Sequence, residues 1–285
     1  MTFPIALPVG TFAGKYATAV AANDSLLCIG LDVDPAKLPA PLRALPVAEA
    51  MRTFCREIIA ATSDCVCAYK PNLAFFLAQG AAGFAVLCEL REMIPAHIPL
   101  LLDAKFNDIG NTAEMYAATA YDVIGADAVT VNPYMGEDAT MPFLARSERT
   151  AFVLVKTSNP GSGDVQDVRT AGGNTVAHHI AAHVREWGAA HGNAGVVVGA
   201  TYPAELAAVR AILPDAPILV PGIGAQGGDI AATVRAGRDA HDGGLLISAS
   251  RSVLYASAGD DFAEAARAES LRLRDAINEH RPPAS

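Results

Sequence analysis

An apolar run, Leu100-Leu101-Leu102, passes straight into Asp103, Lys105 and Asp108, so that two carboxylates and an ammonium crowd one short stretch. Side chains alternate faces along a strand, which directs Asp103 and Lys105 the same way at its carboxyl end and leaves Asp108 three residues on in the turn. All three charges are then expected to share one small volume. Carboxylates tolerate such crowding only with a cation between them. The arrangement holds Lys105 protonated and raises the energy of any further anion placed beside Asp103. A salt-bridge network capping a strand is the plainer alternative.

The elements that must position these groups can be read from hydrophobic periodicity. A helix at 10–24, with Phe12, Tyr16, Ala19 and Val20 near helical spacing, precedes the first strand and is expected across a barrel floor. Apolar strands are expected at 26–31, 65–69, 100–102, 128–131, 151–155, 195–198, 217–220 and 244–247. Helical patterns follow them at 46–62, 80–94, 111–124, 136–146, 174–190, 203–213, 227–236 and 260–280, and a long Gly, Ser and Asp-rich loop covers 160–170. Continuous apolar strands between helices indicate a parallel sheet covered on both faces, and eight such units indicate a closed α/β barrel, the (β/α)8 TIM barrel, with an extra N-terminal helix. A doubly wound open sheet is the alternative. The 285 residues show no composition shift that would mark a second domain, so one domain over 1–285 is expected.

Composition narrows the function further. The chain carries a net charge of −9, which argues against broad contact with nucleic acid or anionic lipid. It has no long apolar run and no basic, apolar leader, so a cytoplasmic protein is expected. Five cysteines, in mostly apolar surroundings, read as reduced thiols rather than disulfides or metal ligands. His178, His179 and His183 lie in an outer helix without the glutamate of a zinc-protease pattern, and no metal site is expected there.

In a barrel of this kind the loops after the strands build the active site. The strand-end residues are Asp32, Lys70, Asp103, Lys105, Asp108, Asn132, Thr157, Ser158, Gly222 and Arg251. After the seventh strand comes Pro221-Gly222-Ile223-Gly224-Ala225-Gln226-Gly227-Gly228-Asp229, a glycine-rich turn opening a helix, and after the eighth comes Arg251. Close backbone approach, helix-start amides and a bidentate guanidinium suit a phosphate, so a phosphorylated small molecule is expected as substrate. Lys156 ends the fifth strand and reads as a partly exposed structural lysine rather than a Schiff-base former.

Jointly, Gly30-Leu31-Asp32, Lys70-Pro71-Asn72, the Asp103 to Thr112 pattern, Thr157-Ser158-Asn159-Pro160-Gly161, the glycine-rich turn and Arg251 resemble the orotidine 5′-phosphate decarboxylase family, in its longer prokaryotic-type form. The resemblance implies cofactor-free conversion of orotidine 5′-phosphate to UMP and CO2. It further implies that Asp32 and Lys70 hold the ribose, that Asp103 faces the substrate carboxylate, and that Lys105 protonates C6. Ser158 would contact the pyrimidine, and Gln226 and Arg251, with Gly224 beside them, would grip the phosphate. Asp108 and Thr112 would enter the neighbouring subunit's site, making a homodimer with composite active sites. No role for Lys156 or the 161–173 loop follows. Two other readings remain: a magnesium-dependent sugar-phosphate decarboxylase or synthase on the same barrel, against which the second ammonium, Lys70, argues, and a catalytically silent phosphate-ligand binding protein.

Overall fold

The computed structural model describes residues 10–223 and 228–281, and eight parallel strands run through them. They are β1 (Leu27–Gly30), β2 (Ala68–Lys70), β3 (Leu101–Phe106), β4 (Ala128–Val131), β5 (Thr150–Lys156), β6 (Ala194–Val198), β7 (Ile218–Pro221) and β8 (Leu245–Ala249). Paired in the order β2-β1-β8-β7-β6-β5-β4-β3, they leave only the β2 and β3 edges to meet. Bridges Tyr69 to Leu100 and Asn72 to Asp103 join those edges, with the Tyr69 amide donating to Pro99 O at 3.1 Å and the Asp103 amide to Pro71 O at 2.9 Å. The result is the expected TIM barrel. Every residue of β1, β2, β4, β6 and β8 is buried, as strands covered on both faces must be.

The core has two shells. Cys28, Ala68, Leu101, Phe152, Val197 and Leu246 fill the barrel interior, while a larger set lies between strands and helices. The helix α1 (Phe12–Asn23) closes the amino-terminal mouth, as its sequence pattern predicts. Its start is capped by Thr11, whose hydroxyl accepts from the Gly14 amide at 3.1 Å. Phe12 meets Phe152 edge-on, with centroids 5.5 Å apart, and Tyr16 donates its hydroxyl to Leu245 O at 2.8 Å. Beside it the buried Asp127 receives Lys15 at 2.6 Å, Arg91 at 2.9 Å and the Leu100 amide at 2.9 Å, so one carboxylate ties α1 to the feet of β3 and β4.

Three local departures bear on the site. First, β3 runs on to Phe106, and its pairing with β4 slips: Leu102 faces Val129 and Phe106 faces Val131, so three residues of β3 stand opposite Thr130 alone. Second, the expected loop at 160–170 contains a 3-10 turn, Pro160–Ser162, and a short helix, Gly163–Gln166. Third, short helices at Leu73–Leu77 and Arg251–Leu254 follow β2 and β8, where the periodicity shows none. The helix expected at 227–236 spans Ile230–Gly237, and residue 227 lies outside the described residues.

Candidate active site

The slip in β3 places the chemistry. Lys105 adopts φ +54°, a left-handed conformation that a side-chain-bearing residue rarely takes, so the simple pleat that would align Asp103 with Lys105 does not apply here. The bend nevertheless returns the ammonium to its neighbour, and Lys105 Nζ donates to Asp103 Oδ1 at 2.5 Å. Lys70, on the adjacent strand end, donates to Asp103 Oδ2 at 3.1 Å, and Asn72 Nδ2 reaches the same oxygen at 3.2 Å. Asp32 Oδ1 lies 4.0 Å from Lys70 Nζ and is a buried oxygen with no hydrogen-bond partner. The charges thus alternate along one line: Asp32, Lys70, Asp103, Lys105.

Electrostatics follow from this alternation. Burial alone would push the Asp103 carboxyl up, but the ammonium groups of Lys70 and Lys105 outweigh it and hold it well below the usual carboxylate range. Burial likewise works against the charge on Lys70, and the carboxylates of Asp103 and Asp32 overcome it, raising the ammonium above an ordinary lysine. Each buried charge is therefore kept ionised by its neighbours.

The array floors a cleft of about 400 Å³ at the carboxyl ends of the strands. Ser158, Gly222 and Arg251 also line it, so the base-contacting and phosphate-binding candidates share one cavity with the charged line. Ser158 is seated by Gly199, where an added Cβ would come within 2.9 Å of the Ser158 Cβ. At the other rim Gly30 admits Ser250, whose hydroxyl donates to Gly30 O at 3.2 Å just before Arg251. Gly224 and Gln226 fall outside the described residues.

Two expected site residues stand apart. Asp108 does not line the cleft; its carboxylate accepts from the Ile109 amide at 2.8 Å, so within one chain the three charges of the motif do not share one volume. Thr112 is exposed on the helix Gly110–Ala118 and also lies off the cleft. The reason is that β3 ends at Phe106, two residues before Asp108, so both positions lie on the segment beyond the strand. Lys156 is a further correction: it is only 1% exposed, donates to Asp167 at 2.6 Å and lies over the Tyr202 ring, 4.7 Å from its centroid. Its partner caps the short helix Gly163–Gln166, in the stretch that the sequence reads as loop.

Sequence reasoning missed Thr130, whose hydroxyl donates to Asp103 Oδ1 at 3.0 Å. The available signal was a hydroxyl inside the apolar run Ala128–Val131, beside the strand that carries the charges. His179 and His183 approach at 3.2 Å on an exposed helix face away from the cleft. Among the described residues no group of three or more His, Cys, Asp or Glu side chains could hold a metal ion.

Known proteins resemble this chain in sequence and in fold. The family model described as "Orotidine 5′-phosphate decarboxylase / HUMPS family" matches residues 25–268. A Roseiflexus sp. (strain RS-1) protein named orotidine 5′-phosphate decarboxylase is 52% identical over 268 residues, covering 94% of this chain and 97% of its own. One of the same name from Azoarcus sp. (strain BH72) is 52% identical over 262 residues, with 91% and 95% covered. Among solved structures, Leishmania donovani OMP decarboxylase is 38% identical with TM-score 0.79, covering 93% of this chain and 99% of that one. Leishmania donovani UMP synthase is 40% identical with TM-score 0.85, covering 95% of this chain, which spans only 56% of that longer protein.

Proposed function

The chain belongs to the orotidine 5′-phosphate decarboxylase / HUMPS family, and from that premise we propose that it converts orotidine 5′-phosphate to UMP and CO2, the closing step of UMP biosynthesis. The observation that carries this reading is the line Asp32, Lys70, Asp103, Lys105 in a cleft that Arg251 also lines. Arg251 binds the phosphate with Gln226 and Gly224, Ser158 contacts the pyrimidine, and Asp32 and Lys70 take the ribose hydroxyls. Asp32 Oδ1, buried without a donor, suits a hydroxyl.

With the nucleotide so placed, its carboxylate lies against Asp103 and its C6 against Lys105. The C6 to carboxylate bond breaks, CO2 leaves, and the electron pair stays on C6. No conjugated sink accepts that pair, so the Lys105 ammonium must stabilise it directly and then deliver its proton to C6. The neutral amine regains a proton from water. A fixed ammonium interacts more strongly with the developing carbanion than with the ground state, which is the condition for raising kcat. Phosphate binding at the remote Arg251 supplies energy for holding the base in place. Because the Lys105 ammonium takes the place of an electron sink, the reading includes no cofactor.

The same reading takes the chain as one domain that pairs into a homodimer with composite sites, Asp108 and Thr112 reaching the partner's cleft. Exposed Ile109, Met115, Tyr134 and Met135, on the segments after β3 and β4, support pairing there. All five cysteines are free, which supports a reducing compartment, the cytoplasm. No helix among the described residues is long and apolar enough to cross a membrane. The test is to incubate the purified chain with orotidine 5′-phosphate, with and without EDTA, and to measure UMP and CO2. Equal conversion in both supports the reading; absence of UMP in both overturns it, and activity lost to EDTA and restored by magnesium transfers the chain to metal-dependent chemistry.

A further inference from the structure

We propose that Thr130 is a positioning residue for the reaction: its single hydroxyl holds both the backbone of Lys105 and the carboxylate of Asp103 in their working geometry. The inference rests on the decarboxylase reading for its kinetic consequence and on the strand pairing for its physical basis. Between the pairs Leu102 to Val129 and Phe106 to Val131, β3 has three residues where β4 has one. A bulge of this kind leaves backbone amides without ladder partners. Here they are the amides of Ala104 and Lys105, and both donate to Thr130 Oγ1, at 3.0 and 2.9 Å.

The hydroxyl is thereby fully committed. Its two lone pairs accept the two amides, so its proton has one direction left, and it goes to Asp103 Oδ1 at 3.0 Å. That same oxygen receives Lys105 Nζ. Thr130 lines the cleft beside Asp103 but is only 1% exposed, so its three bonds are largely shielded from water. A left-handed residue persists only where its surroundings over-determine it, and at Lys105 the over-determining contact on the backbone is this hydroxyl. A methyl at the same place would leave two buried donors unpaired and one carboxylate oxygen short of a donor. Lys105 would be free to relax from the left-handed region and carry its ammonium off line.

The test compares Thr130→Val, which keeps the shape and removes the hydroxyl, with Thr130→Ser, which keeps the hydroxyl. Misplacing a reacting group by an ångström lowers turnover about a hundredfold, so Thr130→Val should lose kcat on that scale. KM should stay within about threefold, because phosphate and ribose contacts are untouched, and Thr130→Ser should recover most of the loss. A purely structural role would instead lower the folded fraction and leave kcat per folded molecule unchanged, and that result overturns the proposal. If Thr130→Val does not fold, Thr130→Cys, whose thiol accepts weakly, takes its place. Amide exchange read by NMR at Ala104 and Lys105 gives an answer that does not need turnover. Protection in the parent and its loss in Thr130→Val supports the proposal, whereas equal exchange in both overturns it. A parent chain that makes no UMP yet shows this exchange difference would sink the decarboxylase reading and leave the backbone role of Thr130 standing.

Discussion

Lys105 and Arg251 both line the cleft but are assigned different duties, so their loss should read out differently. Lys105 is 46% exposed on its side chain, and Asp103 keeps Lys70, Asn72 and Thr130 when it is gone. Lys105→Ala should therefore leave the unfolding midpoint nearly unchanged while decarboxylation falls at least about a hundredfold, the scale of losing a proton donor. Turnover within about tenfold of the parent would remove Lys105 from that role. Arg251→Ala should weaken capture of the nucleotide by about 1.5–3 kcal/mol, the range for a charged hydrogen bond, and leave turnover of the unphosphorylated nucleoside almost unchanged. Comparing kcat/KM for the two substrates checks this; equal slowing of both would mean that Arg251 acts on the fold or the base. At this scale the charged residues were legible because several charges crowd the few residues after one apolar strand, more than capping that strand requires. Thr130 was not, since a β-branched residue inside an apolar run reads as an ordinary strand former.

Elements divide the molecule into a floor that stabilises and a rim that works. Phe12, on the floor, packs into the barrel interior at the end opposite the cleft. Phe12→Ala should cost about 3–5 kcal/mol, measured as a shift in the urea midpoint, while the molecules that remain folded turn over normally. The helix 10–24 and its place across the barrel floor followed from apolar spacing, which a capped, amphipathic segment displays locally. On the rim, the short helix Gly163–Gln166 brings Asp167 to Lys156, and this was hidden because glycine and serine-rich composition masks a single helical turn. The pair makes an asymmetric prediction. Asp167→Ala leaves a buried ammonium unpaired, whereas Lys156→Met removes the need for a partner, so the first should destabilise more than the second by roughly 1–3 kcal/mol. Chemical denaturation of the two variants decides the order, and the reverse order would show that Lys156 contributes through its own packing over Tyr202.

At the scale of the whole molecule, the proposed dimer is what would give Asp108 and Thr112 a place in a site. They lie off the cleft beside exposed apolar side chains, where the dimer reading needs them. Mixing inactive Lys105→Ala with inactive Asp108→Ala should restore activity after subunit exchange, because a mixed dimer places both defects in one site and leaves the other intact. With random exchange of equal amounts, recovery should approach roughly a quarter of the parental activity, given closed two-fold dimers with independent sites. Exchange verified by mass-tagged subunits without recovery would place Lys105 and Asp108 of one chain in the same site.

By itself the sequence determined that eight apolar strands alternate with helices, that polar groups collect where those strands end, and that the third strand carries alternating charge. Each of these is a local property, encoded in period and composition along a few neighbouring residues. Tertiary structure alone decided that three residues of β3 face Thr130, that Lys105 turns left-handed, that Asp108 leaves the cluster and that Lys156 is enclosed. These outcomes depend on register and on partners 11 to 27 residues away, as between Lys156 and Asp167 or Asp103 and Thr130. A slip of pairing between strands leaves the hydrophobic pattern of each strand intact, so it becomes visible only when the barrel closes.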